Sequence, residues 1–354
     1  RDRSVSRGLG DVYKRQFQDC KLSHQAQITG ISHSVKEILP PDLLDLTQLQ
    51  KEANIRYGYT ASEVYDIAQS LYEKKLISYP RTSSRYLTED VFDSLSPIMA
   101  RLLSWELFPA AKGTGGIDIS SLSRHVINAE KANVHHAIII TGIRPGNLSE
   151  KEMQVYRLVA GRMLEAFMAP CRIETTNVEA VCAAQHFKAE QTRIIEAGWH
   201  DVFMHSDMIP TSGYSVKELP EVEKGDTLNV CGCNMVHKKQ LPVNPFTDAE
   251  LVEYMEQNGL GTVSSRTNII RTLVNRRYIR YSGKYIVPTP KGMFTYETIR
   301  GKKIADTSLT ADWEKQLAGL ESGMITGQDF LNRIRTLAKE MTDDIFNTYS
   351  TKEE

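Results

Sequence analysis

No run of apolar residues in this 354-residue sequence approaches the length of a bilayer-spanning helix, and no secretory signal is visible, so neither membrane insertion nor export is expected. Cysteine is scarce. The five present form no Cys-x-x-Cys pair, which argues against a disulfide framework and a zinc ribbon. Cys231 and Cys233 read as ordinary residues of a β-segment, no metal site is expected, and a reducing cytoplasm is the expected compartment. Neither charge dominates: 43 basic and 44 acidic residues give a formal net charge of −1, which leaves nucleic-acid binding to local basic surfaces. Two chemical signatures are also missing. There is no Gly-x-x-x-x-Gly-Lys-Ser/Thr phosphate loop and no Asp-x-Asp pair. Internal repeats and low-complexity tracts are absent, and Gly113-Thr114-Gly115-Gly116 reads as a flexible surface loop.

What is present fits a soluble α+β protein of two or three domains, with 41% apolar and 25% charged residues. Thr47 with Gln50, Thr60 with Glu63, Ser149 with Glu152 and Thr247 with Glu250 fit the capping box that opens a helix. Apolar residues at helical spacing come after each, among them Val64, Ile67, Ala68 and Leu71 after Thr60. Cys20 to Glu37, Ile173 to Ala184, Phe187 to Glu196 and Asp226 to Val236 have strand character. These features predict a discontinuous β-rich domain over 17–39 and 168–240, interrupted by a helical domain over 40–167. A third domain is expected over 241–348 and a tail over 349–354. Residues 1–16 share no pattern with the remainder of the chain and resemble translated adapter sequence, so they are expected to be artefactual or unstructured.

The segment Leu76-Ile77-Ser78-Tyr79-Pro80-Arg81-Thr82-Ser83-Ser84-Arg85-Tyr86 carries the chemistry. A phenol ionises near pH 10, so it attacks phosphorus near neutrality only if a fixed cation favours the phenolate and the charge gathering on phosphate oxygens. Arg81 stands two residues from Tyr79. Pro80 lacks a backbone donor and restrains Tyr79 from continuing the preceding helix, which puts the tyrosine on a short extended run. Farther on, a helix over 248–258, a turn, a second helix with Ile269, Ile270, Leu273 and Val274 on one face, and a hairpin over 278–287 read as a winged helix. Ser264 and Ser265 lie at the start of its second helix, where free backbone donors favour a phosphate, and Arg266 adds a charge.

The tyrosine segment resembles the Tyr-Pro-Arg-Thr-Asp-Ser motif of the type IA DNA topoisomerases. Asn133 to Gly142 is similar to their His-His-Ala-Ile-Ile-Pro-Thr-Gly motif, and Gly259 to Arg266 to their Gly-Ile-Gly-Thr-Pro-Ala-Thr-Arg. The likeness runs from about residue 17 to about residue 348 and is nearest to the topoisomerase III branch. It implies an arch with a β-rich hinge domain, a helical tyrosine-bearing domain and a winged-helix-like domain. Tyr79 is then the nucleophile, Arg81 the phosphate-stabilising partner, and His135 a phosphate or hydrogen-bonding group. Gln69, Tyr72, Thr262, Ser264, Ser265 and Arg266 would contact single-stranded DNA.

The implied reaction cuts one strand through a 5′-phosphotyrosine, passes another strand and reseals without ATP. In the family, magnesium is held by an N-terminal acidic Toprim domain with an Asp-x-Asp cluster, which these residues do not include. The chain is therefore expected to be truncated and inactive alone, and the complete protein to use magnesium and a helicase partner. Three segments depart from the family pattern: Ser83 replaces an acid, Ile140 a proline, and Val263-Ser264-Ser265 a Pro-Ala-Thr run. The alternative reading is a non-enzymatic module that binds single-stranded DNA.

Overall fold

The computed structural model describes residues 3–105, 107–108, 124–132, 135–204, 219–236 and 244–350. Asn133, Val134 and the Gly113 to Gly116 run lie outside them. In chain order the elements are α1 (Arg3–Ser23), β1 (Gln25–Ile38), α2 (Leu46–Tyr57), α3 (Ala61–Glu73), α4 (Glu89–Asp93), α5 (Leu95–Ser104), α6 (Ala129–Ala132) and α7 (Glu150–Phe167). They continue with β2 (Cys171–Cys182), β3 (Gln185–Glu196), α8 (Asp201–Met204), β4 (Thr227–Asn229), α9 (Asp248–Gln257), α10 (Arg266–Asn275), β5 (Ile279–Ser282), β6 (Tyr285–Pro288), α11 (Pro290–Ile299), α12 (Thr307–Glu321) and α13 (Gly327–Ser350). The chain divides into two compact units, one of residues 1–41, 108–118 and 164–243 and one of residues 42–107, 119–163 and 244–354.

The first unit is built on a four-stranded antiparallel sheet of order β3-β2-β1-β4. Strands β2 and β3 are joined by Ala183 and Ala184, both at positive φ (46° and 63°), so alanines fill a tight hairpin turn that usually takes Asn-Gly. Much of the sheet is solvated on both sides, and its core is small, with Ile28, Cys171, Val202 and Phe203 fully or nearly buried. The Trp199 indole N–H donates to the Ile38 carbonyl at 3.0 Å. Two expectations are corrected. Of the segment expected to be artefactual or unstructured, the second alternative does not hold, since it is helical from Arg3; Cys20 belongs to that helix, where it is buried beside Cys182. Of Asp226 to Val236, only Thr227 to Asn229 pair as a strand.

The second unit joins the segments expected as separate helical and winged-helix-like domains. Three of the four expected capping boxes form, at Thr60 with Glu63, Ser149 with Glu152 and Thr247 with Glu250. The fourth does not: the Asp45 carboxylate receives the Gln48 N–H at 2.7 Å and starts α2 two residues earlier, leaving Thr47 inside the helix. Gln50 instead reaches across to the Ala61 carbonyl and the Thr267 hydroxyl. Helices α3, α9 and α10 and the β5-β6 hairpin share an apolar cluster of Ala61, Val252, Met255, Ile270 and Ile286. Asp248 is buried and receives both the Ala61 N–H and the Tyr281 hydroxyl, tying the hairpin to the start of α3. On α10, Ile270 is buried but Ile269 is 39% exposed, so the expected four-residue apolar face is interrupted.

Candidate active site

Helix α3 delivers the tyrosine. Its inner face buries Val64, Ala68 and Leu71, at about 1.5–3 kcal/mol for each larger side chain, which fixes its direction against the core. The helix ends at Lys75, in the left-handed region at φ 61°, with Leu76 N–H donating to the Leu71 carbonyl at 2.9 Å and Lys75 N–H to Tyr72 at 2.8 Å. This six-to-one closure turns the chain into an extended run. Leu76 and Ile77 are buried, and Tyr79 comes out half-buried at the surface.

A second extended run, containing His135 to Thr141, is laced to the first by main-chain bonds. Ser78 N–H donates to Ile139 and Thr141 N–H to Leu76, at 2.8 and 3.1 Å. Ile77 and Ile140 form an antiparallel bridge between them. The Ser78 hydroxyl receives the Ile139 N–H and donates to Ala137, and the Thr82 hydroxyl donates to the His135 carbonyl at 2.9 Å. This lacing sets the exposed His135 ring 4.5 Å from the Tyr79 ring, centroid to centroid. Tyr72, in the last turn of α3, packs its ring edge-to-face on Tyr79 at 5.4 Å and 77°.

Arg81 is held from α3. Its guanidinium donates to the Gln69 side-chain oxygen at 3.2 Å and lies 5.1 Å from the centre of the Tyr65 ring. Gln69 is oriented in turn by its amide N–H to Glu73 at 2.8 Å, and the Arg81 Nε is buried with no partner among the described residues. Sequence reasoning did not single out Tyr65 or Glu73. Both lie a helical turn from Gln69 on the same side of α3, the signal that could have marked them.

Thr262, Ser264 and Ser265 form one hydroxyl turn before α10. Ser265 Oγ receives the Thr262 N–H at 2.7 Å, and the hydroxyls of Thr262 and Ser264 are 3.2 Å apart. Ser264 and Ser265 line an open groove of about 510 Å3 together with Arg81, Tyr65, Asn268, Ile269, Thr272 and Leu273. The structure thus brings Ser264 and Ser265 to the Arg81 side of the site. Arg266 is committed inward: it is 8% exposed, pairs with Glu256 at 3.2 Å and donates to the Leu260 carbonyl.

Magnesium needs several oxygen ligands, usually carboxylates and waters. The carboxylate in the Arg81 network, Glu73, is bonded to Gln69, and among the described residues no group of three or more His, Cys, Asp or Glu side chains is placed to hold a metal ion. The side chains around Tyr79 therefore do not fit a magnesium site by themselves.

The Tyr79 phenol and the His135 imidazole thus lie together, and Arg81, two residues along the chain, is held by Gln69. A family model described as DNA topoisomerase matches residues 10–332. The chain is 32% identical over 344 residues to DNA topoisomerase 3 of Bacillus licheniformis, covering 90% of this chain and 47% of the relative. It is 30% identical over 366 residues to DNA topoisomerase 3 of Bacillus subtilis, covering 96% and 50%. It spans about half the length of the curated relatives it matches. Full-length topoisomerase I from Thermotoga maritima has a similar fold, with a TM-score of 0.73 at 23% identity, over 92% of this chain and 54% of that one.

Proposed function

The chain belongs to the DNA topoisomerase family, in its type IA, topoisomerase III-like branch, and on that premise we propose that Tyr79 is the nucleophile that cuts a single DNA strand. The Tyr79 oxygen attacks phosphorus, the bond from phosphorus to the 3′ oxygen breaks, and a 5′-phosphotyrosine and a free 3′-hydroxyl result. Another strand passes, and the 3′-hydroxyl attacks in reverse to release the phenol. One phosphodiester replaces another, so the step needs no ATP.

The observation that carries this reading is the contact of the half-buried Tyr79 ring with the exposed His135 ring, with Arg81 fixed by Gln69 two residues along the chain. Arg81 balances charge on the non-bridging phosphate oxygens, where a preorganised cation acts most strongly. His135 hydrogen-bonds the phosphate or the oxygen beside it. Tyr72, Gln69, Thr262, Ser264 and Ser265 hold the strand on either side. Arg266, being paired internally, shapes the hydroxyl turn and acts on DNA through it. In the complete protein, magnesium belongs to an acidic Toprim domain outside these residues, and a helicase supplies single strands. The five free cysteines support a cytoplasmic location.

The test is covalent capture. Denaturing the complete protein on a labelled oligonucleotide should trap an adduct that Tyr79→Phe abolishes; an adduct that persists in the variant refutes the assignment. This polypeptide alone should leave negatively supercoiled plasmid unrelaxed, and relaxation by it would contradict the need for a separate acidic domain. A second reading, a non-catalytic module for single-stranded DNA, is favoured by the lack, among the described residues, of a carboxylate cluster beside Tyr79. It predicts salt-sensitive binding and no adduct in any context.

A further inference from the structure

We propose that the groove between Tyr65 and α10 seats one unpaired nucleobase of the held strand, stacked against the Tyr65 and Arg81 side. This rests on the reading of the chain as a binder of single-stranded DNA and names a subsite within it. The groove's volume, about 510 Å3, lies within the range of about 300–1,000 Å3 that small-ligand sites occupy. Its composition selects the class of ligand. Among the described residues no carboxylate lines it, and one cation, Arg81, does, so an anionic chain is admitted.

Besides its donors, the groove is lined by an aromatic ring and two aliphatic side chains, which a bare phosphate would not use. Ser265, Asn268, Ile269, Thr272 and Leu273 succeed one another at helical spacing, which makes the groove wall one face of α10. Ile269 is 39% exposed on that face although the apolar cluster of the unit lies directly beside it at Ile270. A flat base between this aliphatic edge and the phenol would cover both.

Polar groups on the same face complete the fit. The Thr272 hydroxyl is used internally on the Asn268 carbonyl, and Ser265 on Thr262. The Asn268 side-chain amide is exposed and, among the described residues, makes no hydrogen bond, so its donors and acceptor are available to a base edge. Arg81 lies over the Tyr65 ring at 5.1 Å and lines the groove, so its guanidinium can serve the scissile phosphate while bordering the base seat. The subsite therefore adjoins the cut, within a nucleotide or two of it.

The experiment measures binding of this polypeptide to a short fluorescent oligonucleotide and to a series carrying one abasic residue at successive positions. Loss of a stacked base weakens binding by roughly 5- to 150-fold. The wild type should show that loss at one position. Tyr65→Leu should weaken binding of the intact oligonucleotide by a similar factor and become indifferent to the abasic residue there, whereas Tyr65→Phe should behave as wild type. Ile269→Ala, a surface change that spares the core, should reduce the same sensitivity. If the intact oligonucleotide binds but no position is sensitive, or Tyr65→Leu keeps the full sensitivity, the base seat is refuted and DNA binding stands. If no oligonucleotide binds, the underlying reading falls and the seat with it.

Discussion

Replacing Glu152 by glutamine should loosen the attachment of α3 to α7 by about 1–2 kcal/mol at neutral pH. The Glu152 carboxylate receives the Lys74 ammonium at 2.5 Å, the Ser70 hydroxyl at 2.7 Å, and the Ser149 backbone N–H and hydroxyl at 3.0 Å each. It thus ties the last turn of the helix that leads to Tyr79 to the first turn of α7. These donors, Lys74 foremost, hold its carboxyl at about 2 instead of the ordinary 4.5. At full strength such a shift is worth about 3 kcal/mol. Lys74 is 43% exposed although Glu152 is only 13% exposed, so solvent screening reduces this to about half.

The sign is set by the lowered value. The contribution is complete above about pH 5 and is lost as pH falls toward 2, more than half of it by about pH 3. Glutamine preserves the capping geometry, since its oxygen can still accept at that position, so the variant isolates the charge. The assay is urea unfolding of wild type and variant at pH 7 and pH 3. A gap between the two proteins that is equally wide at both pH values would refute the reasoning.

Three further outcomes can be measured by thermal unfolding. Ala184→Gly should stabilise the β2-β3 hairpin by about 1 kcal/mol, because glycine takes φ 63° without the strain alanine bears, and a lower midpoint would contradict this. Tyr156→Phe should be neutral or stabilising by up to about 2 kcal/mol, since the Tyr156 hydroxyl is buried without a partner among the described residues; clear destabilisation would reveal an unseen bond. Asp45→Ala should cost about 1–3 kcal/mol, through loss of the α2 cap and of the Arg85 pair at 2.6 Å, and an unchanged midpoint would show that neither matters.

The parts of the site that were legible in the sequence are those fixed by neighbours along the chain. The Thr60 and Thr247 caps and Pro80 act within four residues, so α3, α9 and the extended run at Tyr79 could be read directly. What escaped depends on remote partners. Gln50 looks like the second half of a capping box but is engaged 217 residues away at Thr267. Arg266 looks like a phosphate ligand, and only the fold reveals Glu256 and the Leu260 carbonyl turning it inward. Ile269 carries the same apolar signal as Ile270, and which of the two meets the core is decided by the rotation of α10 against α3, which no local pattern encodes. The pairing of Tyr79 with His135 was implied only by family likeness, because a hydrogen-bonded contact between runs some sixty residues apart leaves no periodic trace.

Because Ser78 and Thr141 stitch the tyrosine run to the histidine run through backbone groups, the two rings ride on one scaffold whose spacing owes little to side-chain identity. This accounts for the tolerance of isoleucine at position 140, whose N–H, absent from a proline, is received by the Met163 sulfur at 3.1 Å. On the proposed reading, a severed strand tethered to Tyr79 would stay beside the His135 imidazole however far the other end travelled, and the covalent tether would keep open the return route for rejoining.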